Sequence, residues 1–166
     1  MWNALVAFLD KLAELPVCRG LDPVERLPAA FPQARFIHLR RRNRVRQAVS
    51  WALAAQTGNY ASHQQSGRMA RAEAEFDLQL LDHLYAQIHE AEVGWEAFFK
   101  EQGAEPLHLW YEDLSGKLES TVTSTISWLG VHSVRELSLS GLQHQPQATE
   151  LNTEWEARFR AARLGL

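Results

Sequence analysis

Cysteine is nearly absent: Cys18 is the only one in 166 residues. A single thiol excludes an internal disulfide framework and a metal site built from several cysteines. The seven histidines also lack metal-ligand spacing, because His83 and His89 are six residues apart on different faces of a helix and no His-Glu-x-x-His sequence occurs. We therefore expect no bound metal. The low cysteine content fits a reducing compartment, and we expect a cytoplasmic protein.

Long hydrophobic runs are also absent. Near the N-terminus Asp10, Lys11 and Glu14 interrupt the apolar residues, which argues against a signal peptide or a membrane span there. The apolar residues of this segment recur at helical spacing, so residues 2–15 are predicted to form an amphipathic helix that ends at Pro16.

Positive charge is scarce over most of the chain but dense in one segment. Residues 35–46 contain six arginines and no acidic residue, whereas the rest of the chain contains 11 basic and 20 acidic residues, a net charge of −9. This concentration is typical of a binding site for an anion, and the alternative is a solvated, basic start of a helix. Arginine at a helix N-terminus opposes the helix dipole, which favours the bound anion.

Apolar patterns predict strands and helices in alternation, an α/β order with few strands. Phe36, Ile37 and Leu39 predict a buried strand of a parallel sheet. Asn43 is expected to cap a helix over residues 44–57 that ends at Gly58. Further elements are predicted as a helical turn from Asp22-Pro23 to Pro28, a long helix at 70–102, a strand at 106–111, and helices at 116–129 and 152–163, with loops at 58–69 and 131–149.

Charged residues follow both predicted strands, where ligands bind in open α/β sheets. Arg42 follows the first strand and Ser50 lies eight positions later, so a guanidinium and a hydroxyl can converge on one phosphate together with free backbone N–H groups of the helix start. The alternative is an arginine at a helix start and a serine bonded back to a carbonyl.

Glu112 and Asp113 follow the second strand and act either as a general base or as a helix cap or arginine partner. Trp51 either stacks on an adenine or belongs to the core.

The same residues carry a resemblance to a family. One segment resembles the 3′-phosphate-binding element of sulfotransferases. In it Arg42 is followed by seven residues and then by Ser50, with Ala48-Val49 directly before the serine. The wider block over residues 31–58 is similar to bacterial carbohydrate sulfotransferases of the trehalose 2-sulfotransferase type, which include relatives acting on lipopolysaccharide and Nod factor. The resemblance continues to the C-terminus through Leu109–Leu114, Asn152 and Trp155–Phe159.

This resemblance implies a helix-rich, P-loop-like α/β fold of the sulfotransferase type with an incomplete short parallel sheet, as a single domain over residues 1–166. It implies 3′-phosphoadenosine-5′-phosphosulfate (PAPS) as sulfonate donor, bound by Arg42 and Ser50, and a carbohydrate or glycolipid acceptor whose hydroxyl could bind at the loop 58–69. The family's phosphosulfate-binding strand, Gly-rich loop and helix have no match here, and its probable catalytic carboxylate lies there, so we expect the chain to begin downstream of them and assign no catalytic residue.

Two alternatives stay open at this point. The first is a non-catalytic chain that at most binds 3′-phosphoadenosine nucleotides. The second is a nucleic-acid-binding module using the arginine segment, which the net charge of −9 elsewhere disfavours, so we expect no nucleic-acid partner. Absence of the family's first strand would leave a sheet edge and apolar surface uncovered, from which we expect a homo-oligomer.

Overall fold

The computed structural model describes residues 2–60, 73–131 and 150–164 of the chain. These residues form a helix-rich α/β structure with a parallel sheet of two short strands. The elements in chain order are α1 (Trp2–Leu12), α2 (Pro23–Ala30), β1 (Ile37–Arg40), α3 (Arg44–Thr57), α4 (Leu78–Glu101), β2 (Leu107–Trp110), α5 (Tyr111–Gly116), α6 (Leu118–Trp128) and α7 (Glu150–Leu164). None of the described helices is long and apolar enough to cross a membrane.

The chain divides into two compact units. The first comprises residues 1–39 and 89–109, and the second comprises residues 40–88 and 110–166. Each unit has its own hydrophobic core.

The first unit packs α1, α2 and the end of α4 around an aromatic cluster. Phe98 and Phe99 are buried, and the ring of Phe36 lies edge-on to both. Trp95 stacks on Phe99 at 5.7 Å between ring centroids. Phe98 and Phe99 therefore belong to the core of the first unit, and Phe36 and Trp95 are partly buried against it.

Strand β1 has the opposite burial from the one expected. His38 is buried against the aromatic cluster, whereas Ile37 is 43% and Leu39 is 48% exposed. Successive side chains of a strand point to opposite faces, so the polar residue faces the core and the two apolar residues face away from it. The prediction of a buried apolar strand is therefore wrong, although the strand lies in the expected segment and pairs with β2 through the Leu107 N–H and the Phe36 carbonyl at 2.8 Å.

Helix α2 continues past Pro28 to Ala30, where the sequence predicts a stop. Proline has no N–H, so the carbonyl of Val24, four residues earlier, loses its helical donor. The side-chain amide of Gln102 donates to that carbonyl at 2.7 Å. The helix tolerates the proline because another part of the first unit supplies the missing hydrogen bond.

The second unit is built on α3, the start of α4 and α7. Helix α3 has the predicted limits: the Asn43 side chain accepts from the Arg46 N–H at 2.9 Å, and Gly58 ends the helix with a φ of 75°. Its buried face packs against residues of the other two helices, namely Leu81, Leu84, Ile88, Trp155 and Phe159.

Several predicted boundaries move. Helix α4 begins at Leu78, because Asp77 caps it by accepting from the Leu80 N–H, and residues 74–77 are not helical. The helix predicted at 116–129 is α6, Leu118–Trp128, and the sequence did not predict the short helix α5, Tyr111–Gly116, which precedes it. Helix α1 ends at Leu12. Most of the predicted loops 58–69 and 131–149 lies outside the described residues.

Candidate functional site

The candidate site begins where β1 ends and α3 starts, in the second unit. Arg42 lies directly before the N-cap residue Asn43, and its side chain is half exposed. Residues of α5, α7 and the end of β2 surround this segment.

Glu112 and Asp113 hold the segment from the start of α5. The Arg42 guanidinium forms a bidentate pair with Asp113, with Nη1 donating to Oδ1 at 2.8 Å and Nη2 donating to Oδ2 at 2.6 Å. Glu112 accepts from the backbone N–H of Arg42 at 3.1 Å and from that of Asn43 at 3.3 Å. The charged residues that follow the two strands thus contact each other, and the two carboxylates take the role of arginine partners.

These contacts shift the titration of all three side chains. The hydrogen bond from Arg42 lowers the pKa of Asp113 against a smaller opposing effect of desolvation, and the same bond raises the pKa of Arg42. Desolvation would by itself raise the pKa of Glu112. The hydrogen bonds from the backbone N–H groups of Arg42, Glu112 itself and Asn43 together outweigh it, so the pKa of Glu112 lies below its ordinary value. Both carboxylates are thereby held in the charged form, which suits an arginine partner and makes each a weaker base.

Trp110 at the end of β2 and Tyr111 at the start of α5 make cation–π contacts with the arginine segment. The guanidinium of Arg40 lies 5.4 Å and that of Arg42 lies 5.1 Å from the ring centroid of Trp110. The guanidinium of Arg41 lies 4.2 Å from the ring of Tyr111. Cation–π contacts at these distances attract each guanidinium to its ring and restrict its position.

Helix α7 holds the other side of the α3 start. Glu156, whose side chain is only 15% exposed, accepts from the Asn43 side-chain amide at 2.7 Å and from Arg160 at 3.0 Å. Arg160 also donates to the Asn43 side-chain oxygen at 3.3 Å, and Arg46 lies 3.9 Å from Glu156. Partial burial would raise the pKa of Glu156, but the bonds from Asn43 and Arg160 and the charges of Arg160 and Arg46 lower it below the ordinary value.

The two predicted ligands have different partners. Ser50 accepts from the amide of the buried Asn152 at 3.5 Å, and Arg42 binds Asp113; the structure shows no hydrogen bond between Arg42 and Ser50. The expectation of free backbone donors is wrong for Arg42, Asn43 and Arg46, whose N–H groups already have carboxylate or amide acceptors. Trp51 is 38% exposed, which excludes a core position.

Sequence reasoning included Trp110 in the resembling segment but missed its contacts with the arginines and the contacts of α7. The contacts of Trp110 could have been found from its position directly before Tyr111-Glu112-Asp113 at the strand end. No local signal pointed from Asn43 to Glu156, because the two residues are 113 positions apart.

Comparison with known proteins adds the family. The family model of the Stf0 sulphotransferases matches residues 1–162, which include every residue of the candidate site. The chain belongs to the Stf0 sulphotransferase family. It is similar to a trehalose 2-sulfotransferase of Mycobacterium tuberculosis (strain ATCC 35801 / TMC 107 / Erdman), with 30% identity over 173 residues, 100% of this chain and 61% of the relative.

A second trehalose 2-sulfotransferase, from Mycolicibacterium smegmatis (strain ATCC 700084 / mc(2)155), is 30% identical over 163 residues, 96% of this chain and 58% of the relative. The Stf0 chain described here thus spans about three fifths of the length of these curated relatives. Among its described residues no group of three or more His, Cys, Asp or Glu side chains has the geometry to hold a metal ion.

Proposed function

We propose that this chain functions as part of a sulfotransferase that transfers a sulfonate group from PAPS to a carbohydrate hydroxyl. We further propose that Arg42 and Ser50 bind the 3′-phosphate of the nucleotide. Family membership supports the reaction class. The observation that carries the site is the placement of a half-exposed, oriented guanidinium at the α3 start, beside the carboxyl end of β1.

The chemistry of Arg42 fits a phosphate. A guanidinium has five N–H donors, and Asp113 uses two of them, so three remain for phosphate oxygens. The bidentate pair with Asp113 and the cation–π contact with Trp110 restrict where those donors lie. An arginine oriented before the ligand arrives loses less rotamer freedom on binding.

The chemistry of Ser50 fits as well. Its oxygen accepts a hydrogen bond from Asn152, so its own O–H remains to donate. Ser50 lies on α3 in the second turn after the N-cap, on the helix that Arg42 precedes. One charged and one neutral donor on a shared segment match a phosphate dianion.

In the reaction, the acceptor oxygen forms a bond to sulfur while the bond from sulfur to the 5′-phosphate oxygen breaks, and the acceptor proton leaves to a base. The proposed role of Arg42 and Ser50 is to bind and orient the nucleotide, which stays behind as adenosine 3′,5′-bisphosphate. Orientation of the donor lowers the barrier by holding the two reacting atoms in line. Glu112 and Asp113 are arginine partners in this scheme, consistent with their lowered pKa values.

A nucleic-acid-binding role has less support. Arg40, Arg41 and Arg42 are stacked on aromatic residues of this chain, and Arg42 is paired with Asp113. A polyanion would have to compete with these partners and with the net charge of −9 outside residues 35–46.

Calorimetry with two nucleotides tests the proposal. Adenosine 3′,5′-bisphosphate should bind more tightly than adenosine 5′-phosphate, because only the former reaches Arg42 and Ser50. Arg42→Ala should reduce the ratio of the two affinities by about tenfold to a hundredfold, as expected for loss of a charge-assisted contact. Arg163→Ala is the matched control, since Arg163 is similarly exposed and also paired with an aspartate, Asp82, in the same unit.

Equal affinity of the wild-type chain for the two nucleotides would overturn the site. A transfer assay with labelled PAPS and a panel of sugars that includes trehalose then addresses the reaction. Binding with the expected preference but without transfer to any sugar would favour the binding-only alternative.

A further inference from the structure

Helices α3 and α7 pack against each other in the second unit, and one face of α7 is directed at α3. Trp155 and Phe159 of this face are buried in the core shared with α3. Asn152 and Glu156, one helical turn apart, contact Ser50 and Asn43 respectively. The earlier residue of α7 thus contacts the later residue of α3, so the two helices run antiparallel.

Glu156 ties the α3 start to α7 through the N-cap residue. Its carboxylate accepts from the Asn43 amide at 2.7 Å, while the Asn43 oxygen accepts from the backbone N–H of Arg46 and from Arg160. Both ends of the Asn43 amide are therefore occupied, which fixes the side chain in its capping orientation. Arg42 is the preceding residue, so this orientation sets the direction from which its backbone approaches the start of α3.

Asn152 acts at the other predicted ligand. It is 1% exposed, and its amide nitrogen lies 3.5 Å from the Ser50 oxygen. Because asparagine nitrogen is only a donor, the contact assigns the Ser50 oxygen as acceptor and leaves the hydroxyl proton for another partner.

We propose that Asn152 and Glu156 of α7 are positioning residues for the nucleotide site: Glu156 holds the Arg42–Asn43 segment, and Asn152 directs the Ser50 hydroxyl. The inference rests on the proposed 3′-phosphate site at Arg42 and Ser50. It makes α7, more than 100 residues from that segment in the sequence, part of the binding element. Neither residue touches the nucleotide in this scheme.

If Asn152 and Glu156 only stabilised the fold, their replacement would have different effects from those of positioning residues. A residue that only stabilises the unit should, when replaced, change the unfolding free energy and leave the ratio of the two nucleotide affinities unchanged. A positioning residue should change the ratio itself, because only the bisphosphate uses the two positioned ligands. The preference for bisphosphate over monophosphate is thus the decisive readout.

The test compares Glu156→Ala with Glu154→Ala in the same calorimetric assay. Glu154 lies on the same helix and pairs with Arg158 four residues on, as Glu156 pairs with Arg160, but it is 58% exposed and does not contact the α3 start. Glu156→Ala should reduce the preference for the bisphosphate by about threefold to tenfold, and Glu154→Ala should leave it unchanged. Asn152→Ala should reduce it by a similar factor.

Glu156→Gln covers the case in which the alanine variant fails to fold. Glutamine keeps an oxygen that accepts from Asn43 but loses the charge that pairs with Arg160. We therefore expect Glu156→Gln to keep most of the wild-type preference for the bisphosphate. A wild-type preference that survives in Glu156→Ala, or a Glu156→Gln preference no higher than that of Glu156→Ala, would overturn the inference while the proposed function stands. A wild-type chain without any preference would overturn both.

Discussion

Arg42 already has an anionic partner before any ligand binds, since Asp113 occupies the two terminal nitrogens of its guanidinium. Such a pair has two opposite effects on a second anion. It orients the arginine, but it also places a negative charge next to the proposed phosphate site. Because Trp110 also orients the guanidinium, the repulsive effect should dominate.

Asp113→Asn should therefore strengthen binding of adenosine 3′,5′-bisphosphate by a few-fold. Asparagine keeps one oxygen that accepts from Arg42 and removes the charge. Calorimetry at two salt concentrations checks this, because the gain should shrink as salt screens the repulsion.

The control for Asp113 is Asp82→Asn, which neutralises the carboxylate paired with Arg163 elsewhere in the second unit. Weaker nucleotide binding by Asp113→Asn, with no change in the control, would mean that Asp113 orients Arg42 more than it competes for it.

At the scale of elements, the start of α3 is held by carboxylates from two different helices. Glu112 of α5 accepts from the backbone N–H groups of Arg42 and Asn43, and Glu156 of α7 accepts from the Asn43 side chain. Negative charge near a helix N-terminus also interacts favourably with the helix dipole. Together these contacts offset the unfavourable position of Arg44 and Arg46 in the first turn.

This arrangement predicts a pH dependence of stability. The folded-state pKa values of Glu112 and Glu156 lie below the ordinary glutamate value of 4.5. The contribution of these two carboxylates to the free energy of unfolding is therefore complete above that pH. It is lost as the pH falls through the lowered folded-state values. The unfolding free energy of Glu156→Gln should accordingly fall less between pH 5 and pH 3 than that of the wild-type chain, as measured by denaturant titration.

Glu154→Gln serves as the reference for that titration, because it removes a carboxylate from the same helix without removing a contact to α3. If the acid-induced loss of stability were the same in wild type and Glu156→Gln, the contacts at the α3 start would not be responsible for it.

The elements that could be predicted from sequence are those with local signals. Asn43 and Gly58 marked both ends of α3 because a cap acts within one turn of its own helix. The start of α4 was missed because residues 70–75 are rich in alanine and glutamate, good helix formers, whereas the cap is the later Asp77.

The candidate site could be located from the sequence to a similar extent. Its position after the two strands followed from the α/β order, whereas the choice of Arg42 and Ser50 as ligands came from spacing and resemblance and stays a prediction. The partner of each side chain did not follow, because Asp113 lies 71 residues from Arg42 and Asn152 lies 102 residues from Ser50. Such pairings depend on the tertiary fold, which no local pattern encodes.

At the scale of the whole molecule, the first unit exposes much apolar surface. Among its described residues the exposed large hydrophobic side chains include Val6, Phe8, Leu15, Val17, Phe31, Ile37 and Leu39. Ile37 and Leu39 share one face of β1, since residues two apart in a strand point the same way. Exposed apolar surface of this kind drives association.

We expect the chain to self-associate in a concentration-dependent manner, measurable by size exclusion with light scattering. The double substitution Ile37→Thr and Leu39→Thr should lower the apparent mass, because threonine is β-branched, which suits a strand, and removes apolar surface. Val131→Thr, at an equally exposed valine of the second unit, should not. A monodisperse wild-type monomer would contradict the expectation.

The hydrogen bond from Gln102 to Val24 makes the effect of one substitution depend on another. With proline at position 28, loss of the Gln102 amide leaves the Val24 carbonyl without its donor. With alanine at position 28, the restored backbone N–H would satisfy that carbonyl, and position 102 would become free to vary. Sequence change at these two sites therefore has a preferred order: replacement of Pro28 is the permissive step, and replacement of Gln102 is tolerated only after it.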